Sequence, residues 1–209
     1  MMDYIKNPMA IENRSFEIIG EEMGPHNFTD EELQIVKRVI HTTADFEYAD
    51  LIEISKDAIE AAKEAFKNNP KIYTDTNMAL SGINKRALSK LNGEAICYVN
   101  LEEVHNEAKE KGITRSMAAV SKAVSDNVDI FVFGNAPTAL FKLKELIAEK
   151  KVSPKLIIAV PVGFVGAAES KENLEELNIP YITVKGRKGG STVAAAIMNA
   201  LMYGSVERG

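Results

Sequence analysis

The run Leu156–Val160, LIIAV, constrains the fold of this chain more than any other stretch. Five consecutive apolar residues leave no polar face, so a strand made from them is buried on both sides. That happens in a sheet covered by helices above and below. The run opens directly into Pro161, Gly163 and Gly166, and then into a polar helical pattern that includes Ser170. A buried strand, a Gly-rich loop and a helix in that order is how open α/β sheets build ligand sites. The loop lies outside the carboxyl end of the strand, and glycine lets backbone N–H groups come close to a ligand.

Other segments repeat the arrangement. Ile72–Thr74, Ala95–Val99, Asp129–Phe133 and Tyr181–Val184 read as further short strands. Before, between and after them lie helices: residues 10–23, the stretch after Thr29, Lys56–Lys67, a short one at Asp75–Leu80, Leu101–Lys111, the stretch from Thr114 to Val124, Pro137 to Lys150, a short one around Lys171–Leu177, and the small-residue helix Thr192–Met202. Asp45–Tyr48 adds a further helical turn. Thr29 and Glu32 fit a capping box, Asn84 an N-cap ahead of Lys85–Leu91, and Asn135 a cap ahead of Pro137. The fold class is therefore α/β. One domain over residues 1–209 holds a mainly parallel sheet with helices on both faces, in Rossmann-like layering. A helical N-terminal third covers one side or packs against a second subunit.

A formal net charge of −5 argues against nucleic acid and anionic membrane as partners. Cys97 is the only cysteine, which removes internal disulfides and thiolate-cluster metal sites; within AICYV it reads as a packed free thiol. No HExxH or other metal-ligand spacing occurs, so no metal site is expected. The first fifteen residues have no apolar signal core, and no stretch approaches membrane-spanning length, which gives a cytoplasmic expectation.

If the sheet is parallel, Arg115 and Ser116 begin a helix at the same edge where the strands end. Thr74–Asn77, Gly134–Thr138, Pro161–Glu169 and Gly186–Ser191 gather there too, offering N–H groups and basic side chains suited to an anionic ligand. GxGxxG after a first strand and the P-loop are both absent, and so is GxSxG, so neither nucleotide nor serine-nucleophile chemistry has a signature. Two residues outside these loops stand out. Arg14, with Ser15, falls on the stripe formed by Ile11, Ile18, Ile19 and Met23, where a guanidinium needs a partner or snorkels at the margin. His41 lies near the end of its helix, where the dipole favours imidazolium by a few tenths to about 1 kcal/mol, making it a candidate acid as well as an ordinary surface histidine. Lys85 and Arg86 occupy a first helical turn, where cations are disfavoured; an anion nearby or plain solvation accounts for them.

Six ordered motifs carry a resemblance that spans the chain: RSF at Arg14–Phe16, RVIH at Arg38–His41, TRS at Thr114–Ser116, GNAPTAL at Gly134–Leu140, PVGFVGAAESK at Pro161–Lys171 and GRxGGS at Gly186–Ser191. The sequence resembles the precorrin-8X methylmutase family of the cobalamin pathway, including its cobalt-precorrin-8 branch. The resemblance implies an isomerase that moves a methyl group from ring carbon 11 to ring carbon 12 of a corrin precursor, with no external methyl donor and no cofactor of its own. Any cobalt travels with the substrate. It assigns proton transfer to His41 and substrate contacts to Arg14, Ser15 and Arg115. The loops that line the macrocycle pocket would add Ser116, Asn135, Ala136, Pro137, Thr138, Gly163, Phe164, Gly166, Arg187, Gly189, Gly190 and Ser191. In Ser81–Arg86, Asn84 stands where the aerobic enzymes have a substrate-contacting threonine. With Lys85 and Arg86 this points to the cobalt branch. The family also implies a homodimer. A corrinoid-binding or carrier protein on the same fold would keep the pocket and dispense with the acid, and a nucleotide-dependent enzyme would show saturable nucleotide binding.

Overall fold

The computed structural model describes residues 5–206. Six strands form one sheet: β1 (Ile52–Ile54), β2 (Lys71–Thr74), β3 (Glu94–Ile96), β4 (Ile130–Phe133), β5 (Leu156–Ala159) and β6 (Tyr181–Val184). Their spatial order is β1-β6-β5-β4-β2-β3, with β1 antiparallel to β6 and every other pair parallel. The apolar run fills the middle. Ile158 pairs with Val132 on one side and Ile182 on the other, and β4, β5 and β6 are buried throughout. This is the double-sided burial that LIIAV demands.

Helices cover both faces. They are α1 (Pro8–Glu22), α2 (Asp30–Thr43), α3 (Tyr48–Leu51), α4 (Ala58–Phe66), α5 (Asn77–Gly82), α6 (Lys85–Lys90), α7 (Glu102–Lys111), α8 (Arg115–Ser125), α9 (Pro137–Ala148), α10 (Ala167–Lys171) and α11 (Ser191–Ser205), with a single 3-10 turn at Leu174–Leu177. One face carries α1, α2, α4, α6 and α11 over Ile72, Ile130, Val132, Ile158 and Ile182. The other carries α7, α8, α9 and the 3-10 turn over Tyr73, Phe131, Phe133 and Ile157. The alanine-rich α11 is the hub of the first face, touching α2, α4, α5 and α6 as well as β4 and β5. Small side chains at Ala194, Ala195 and Ala196 permit that approach; Gly82 in α5 lies so near Ala195 that a Cβ would be 2.7 Å from it.

Local chemistry sets the helix ends. Thr29 and Glu32 form the expected capping box for α2, and Ala44 ends it in a left-handed conformation. Thr114 accepts from the Met117 N–H at 3.2 Å, and Asn84 accepts from the Arg86 and Ala87 N–H groups at 3.0 Å.

Several sequence expectations need correction. β1 has no counterpart among the expected strands: IEI is three residues long and gives no periodicity to read. Asn135 is not the cap of α9; Ala136 holds that position, with no side-chain cap bond. The turn expected at Asp45–Tyr48 forms at Tyr48–Leu51, and the helix around Lys171–Leu177 divides into α10 and the 3-10 turn. Cys97 lies just past β3, half-buried, where burial raises its thiol pKa. On α1 the stripe splits: Phe16, Ile19 and Met23 pack inward, whereas Ile11 and Ile18 face out.

Candidate functional site

The parallel strands deliver their loops to one edge, and hydrogen bonds knit those loops together. Thr114 and Thr138 share a hydroxyl contact at 3.2 Å, joining the start of α8 to that of α9. The Gly163 N–H donates to the Arg187 carbonyl at 3.1 Å, and the Gly190 N–H to the Val160 carbonyl at 2.8 Å. Gly166 lies against Pro137 and Phe141, with room for a Cβ at 3.5 Å from each. Thr76 and Ser191 share a hydroxyl contact at 2.8 Å. Of the expected binding residues, Arg115, Ser116, Asn135, Ala136, Pro137, Thr138, Gly163, Phe164, Gly166, Arg187, Gly189, Gly190 and Ser191 therefore lie on joined loops at one edge, with Ala136, Gly190 and Ser191 buried in it.

Part of the hydrogen bonding in these loops is internal. Gly134, Asn135 and Ala136 donate to the Asp75 carboxylate at 2.8, 2.8 and 2.7 Å. What glycine supplies is close approach between backbones. A Cβ on Gly134 would sit 2.6 Å from the Ser191 Cα, and Gly189, at φ +148°, packs against the Val160 carbonyl. The start of α11 has no side-chain cap, and Ser191 there is packed against Gly134.

Around this edge the surface is apolar and locally cationic. Phe164 is 83 % exposed and Val165 89 %, with Met78 at 68 % on α5. The Arg187 guanidinium lies 5.5 Å from the centre of the Phe164 ring, a cation–π pair. Arg115 is exposed in the first turn of α8.

The loop between β6 and α11 is tied down from both sides. From below, Lys171 donates to the Lys188 carbonyl at 2.8 Å. That lysine is only 6 % exposed, and burial lowers its pKa from 10.5 to about 8. From the side, the Lys188 ammonium reaches Asp45 and, at 2.7 Å, Glu47. Tyr48 completes the tie, its hydroxyl donating to the Gly189 carbonyl at 3.4 Å. Hydrogen bonding to Lys188 holds Asp45 below the ordinary carboxylate range.

His41 occupies the last turn of α2, four residues before Asp45. Its imidazole is exposed, with the Phe16 ring edge-on at 5.6 Å. The segment that follows it is the one fastened to the β6–α11 loop. Arg14 stands on the outward side of α1 and finds its partners on its own helix, Glu17 at 3.0 Å and Glu21 at 3.7 Å. Ser15 is half-buried and donates to the Ile11 carbonyl. The motif arginine that packs inward is Arg38, which pairs with Glu12 at 2.5 Å between the rings of Phe16 and Tyr203.

Asn84, Lys85 and Arg86 do not join the loop edge. The Asn84 backbone N–H donates to the Asn199 side chain and its amide to the Tyr203 hydroxyl at 2.7 Å. Those partners lie eight and twelve residues beyond Ser191 on α11, about 12–18 Å along the helix axis. The Asn84 side-chain carbonyl is used by the cap, and Lys85 and Arg86 are exposed in the turn it caps.

Three residues to which the sequence gives no role hold the edge in shape: Asp75, Lys171 and Lys188. The signal for Asp75 is an acidic residue directly after the first parallel strand, in TDT. For Lys188 it is the one cation inside GRKGGS not credited with a ligand.

Comparison with known proteins adds a second kind of observation. The family described as precorrin-8X methylmutase matches residues 10–204. A protein of Salmonella typhimurium named cobalt-precorrin-8 methylmutase is 50 % identical, over 97 % of this chain and 98 % of its own length. One of the same name from Leptospira interrogans is 45 % identical over 95 % and 94 %. The crystal structure of a precorrin-8X methylmutase from Thermus thermophilus superposes with a TM-score of 0.85 at 38 % identity, covering 92 % of this chain and 96 % of that one.

Proposed function

This chain belongs to the precorrin-8X methylmutase family, and we propose that it converts cobalt-precorrin-8 to cobyrinate by moving one methyl group from ring carbon 11 to ring carbon 12. It is an isomerase acting by intramolecular methyl transfer. His41 gives a proton to the conjugated ring system and takes one back after migration, so substrate and product have the same composition. No methyl donor and no cofactor of the protein's own enter the balance. The cobalt arrives and leaves within the macrocycle.

The observation that carries this reading is the joining of the loops that bear Arg115, Thr138, Phe164 and Arg187 at one sheet edge, with the α2 segment after His41 tied to the same surface. A corrin precursor is a flat apolar ring edged with carboxylates. Phe164, Val165 and Met78 suit the ring, and Arg115 and Arg187 suit the acid arms. The cobalt preference is supported by the names of the Salmonella and Leptospira relatives. Arg14 and Ser15 complete the proposed contacts from α1. Acting on a water-soluble polycarboxylate, the enzyme works in the cytoplasm as a homodimer. The outward residues Met9, Ile11 and Ile18 of α1 are the face offered to the second copy.

The test is anaerobic incubation with cobalt-precorrin-8 and with its metal-free analogue, followed by the visible spectrum. Turnover of the cobalt form is expected to be the faster; equal rates would remove the cobalt preference. His41→Ala should still bind the coloured corrinoid while turnover falls by about 10²-fold or more. Turnover at the wild-type rate in that variant would take the proton transfer away from His41. Absence of turnover in the wild-type protein, with corrinoid binding intact, would favour a carrier.

A further inference from the structure

We propose that Asp75 is a positioning residue for the substrate pocket, a built-in anion that occupies the place where a doubly wound sheet usually receives a ligand's charge. The sheet order puts β2 beside both β3 and β4. The connection from β2 to β3 runs through α5 and α6, on the face that carries α11. The connection from β4 to β5 runs through α9 on the opposite face. Between β2 and β4 the winding therefore changes sides, and the crevice at such a switch point is where ligands bind in folds of this kind.

Here the crevice is filled from within. One oxygen of Asp75 accepts from Gly134 at 2.8 Å, and the other accepts from Asn135 at 2.8 Å and Ala136 at 2.7 Å. The residue is 1 % exposed. Three charge-assisted bonds from consecutive N–H groups leave that turn one arrangement. The effect reaches further, because Gly134 is pressed against the backbone of Ser191 and Thr76, next to Asp75, meets the Ser191 hydroxyl at 2.8 Å. The end of β2 thus sets the positions of Asn135, Thr138 and Ser191 together, and Asp75 does so without reaching the surface. The proposal rests on the reading that these loops bind the substrate.

Replacing Asp75 with alanine leaves a carboxylate-sized space faced by three N–H groups, which formate fits. For Asp75→Ala, KM for cobalt-precorrin-8 is expected to rise about tenfold with kcat changed less than about threefold. Sodium formate should lower that KM and raise the variant's melting temperature, where sodium chloride at equal ionic strength does neither. The wild-type protein should not respond. An unchanged KM, a fall in kcat at constant KM, or a folded variant on which formate acts no differently from chloride overturns the proposal. If Asp75→Ala does not fold, Asp75→Asn keeps the volume but faces the N–H groups with an amide. It should show the same rise in KM, and wild-type kinetics in it would overturn the proposal. Should the wild-type protein fail to isomerise cobalt-precorrin-8, the functional reading falls, while the formate-dependent melting temperature still decides the role of Asp75.

Discussion

The ammonium of Lys188 sits between the carboxylates of Asp45 and Glu47, and it lies 5.6 Å from the centre of the Tyr48 ring. Asp45 and Glu47 follow His41 by four and six residues, and Lys188 follows Arg187 by one. One side chain therefore fastens the helix end that carries the proposed acid to the loop that carries a proposed substrate contact. A half-exposed ion pair adds little to global stability, so its value lies in registration. Lys188→Met is expected to lower kcat about tenfold with little change in melting temperature. Lys188→Arg should retain most of the activity. A double exchange, Lys188→Glu with Asp45→Lys, should recover more than either single exchange does. Steady-state kinetics of these variants check this.

Two glycines should respond in opposite directions to the same substitution. Gly189 has φ +148°, and a Cβ there would press into the Val160 carbonyl, which belongs to the backbone and cannot swing aside. Gly189→Ala is expected to cost about 2–4 kcal/mol in urea unfolding. Gly204 lies near the end of α11, its backbone is helical, and a methyl group there would meet nothing within 4 Å. Gly204→Ala should stabilise by about 0.5–1 kcal/mol.

These cases show which parts of the fold are legible in the sequence. LIIAV requires a doubly covered strand, and Thr29 with Glu32 marks a helix start, because in each the cause lies within a few residues of sequence. Asp75 gives no such sign because its meaning depends on Gly134–Ala136, some sixty residues away. The glycine loops are located correctly by their pattern, yet spacing alone does not tell that Gly134 and Gly189 accommodate neighbouring backbones. The outward turn of Ile11 and Ile18 escapes a periodicity argument because Phe16 and Ile19 fix a different packed face. Asn84 is legible as a cap, but its distance from the loop edge depends on where α11 carries Asn199 and Tyr203.

Asn84 provides a direct test of that difference. Its side-chain carbonyl caps α6 through two N–H groups, and its amide donates to Tyr203. Asn84→Ala removes both functions and should destabilise the protein by about 1–2 kcal/mol. Asn84→Asp keeps the cap and loses the donor, so it should fall between. If the amide is engaged structurally, KM for cobalt-precorrin-8 should change less than about twofold in either variant. A rise in KM well above twofold in a folded variant would return Asn84 to the substrate.

Lys171 gives a prediction whose sign follows from linkage. Burial lowers its pKa from 10.5 to about 8, with no acidic partner contributing. Between pH 8 and 10.5 the unfolded chain therefore binds a proton that the folded protein has released, and stability rises with pH across that window. Below pH 8 the folded protein carries the full cost of a buried ammonium, about 3 kcal/mol relative to its exposed state. Lys171→Met removes the ionisation and also leaves the Lys188 carbonyl without its donor. Losing that bond costs about 1 kcal/mol whatever the pH. The lost bond displaces the whole curve, whereas the lost ionisation changes its slope. The stability of Lys171→Met minus that of the wild type should thus be largest below pH 8 and decline steadily toward pH 10.5. Urea unfolding of both proteins across that range measures the difference. A difference that is flat with pH would mean that the ammonium reaches solvent or a counter-ion.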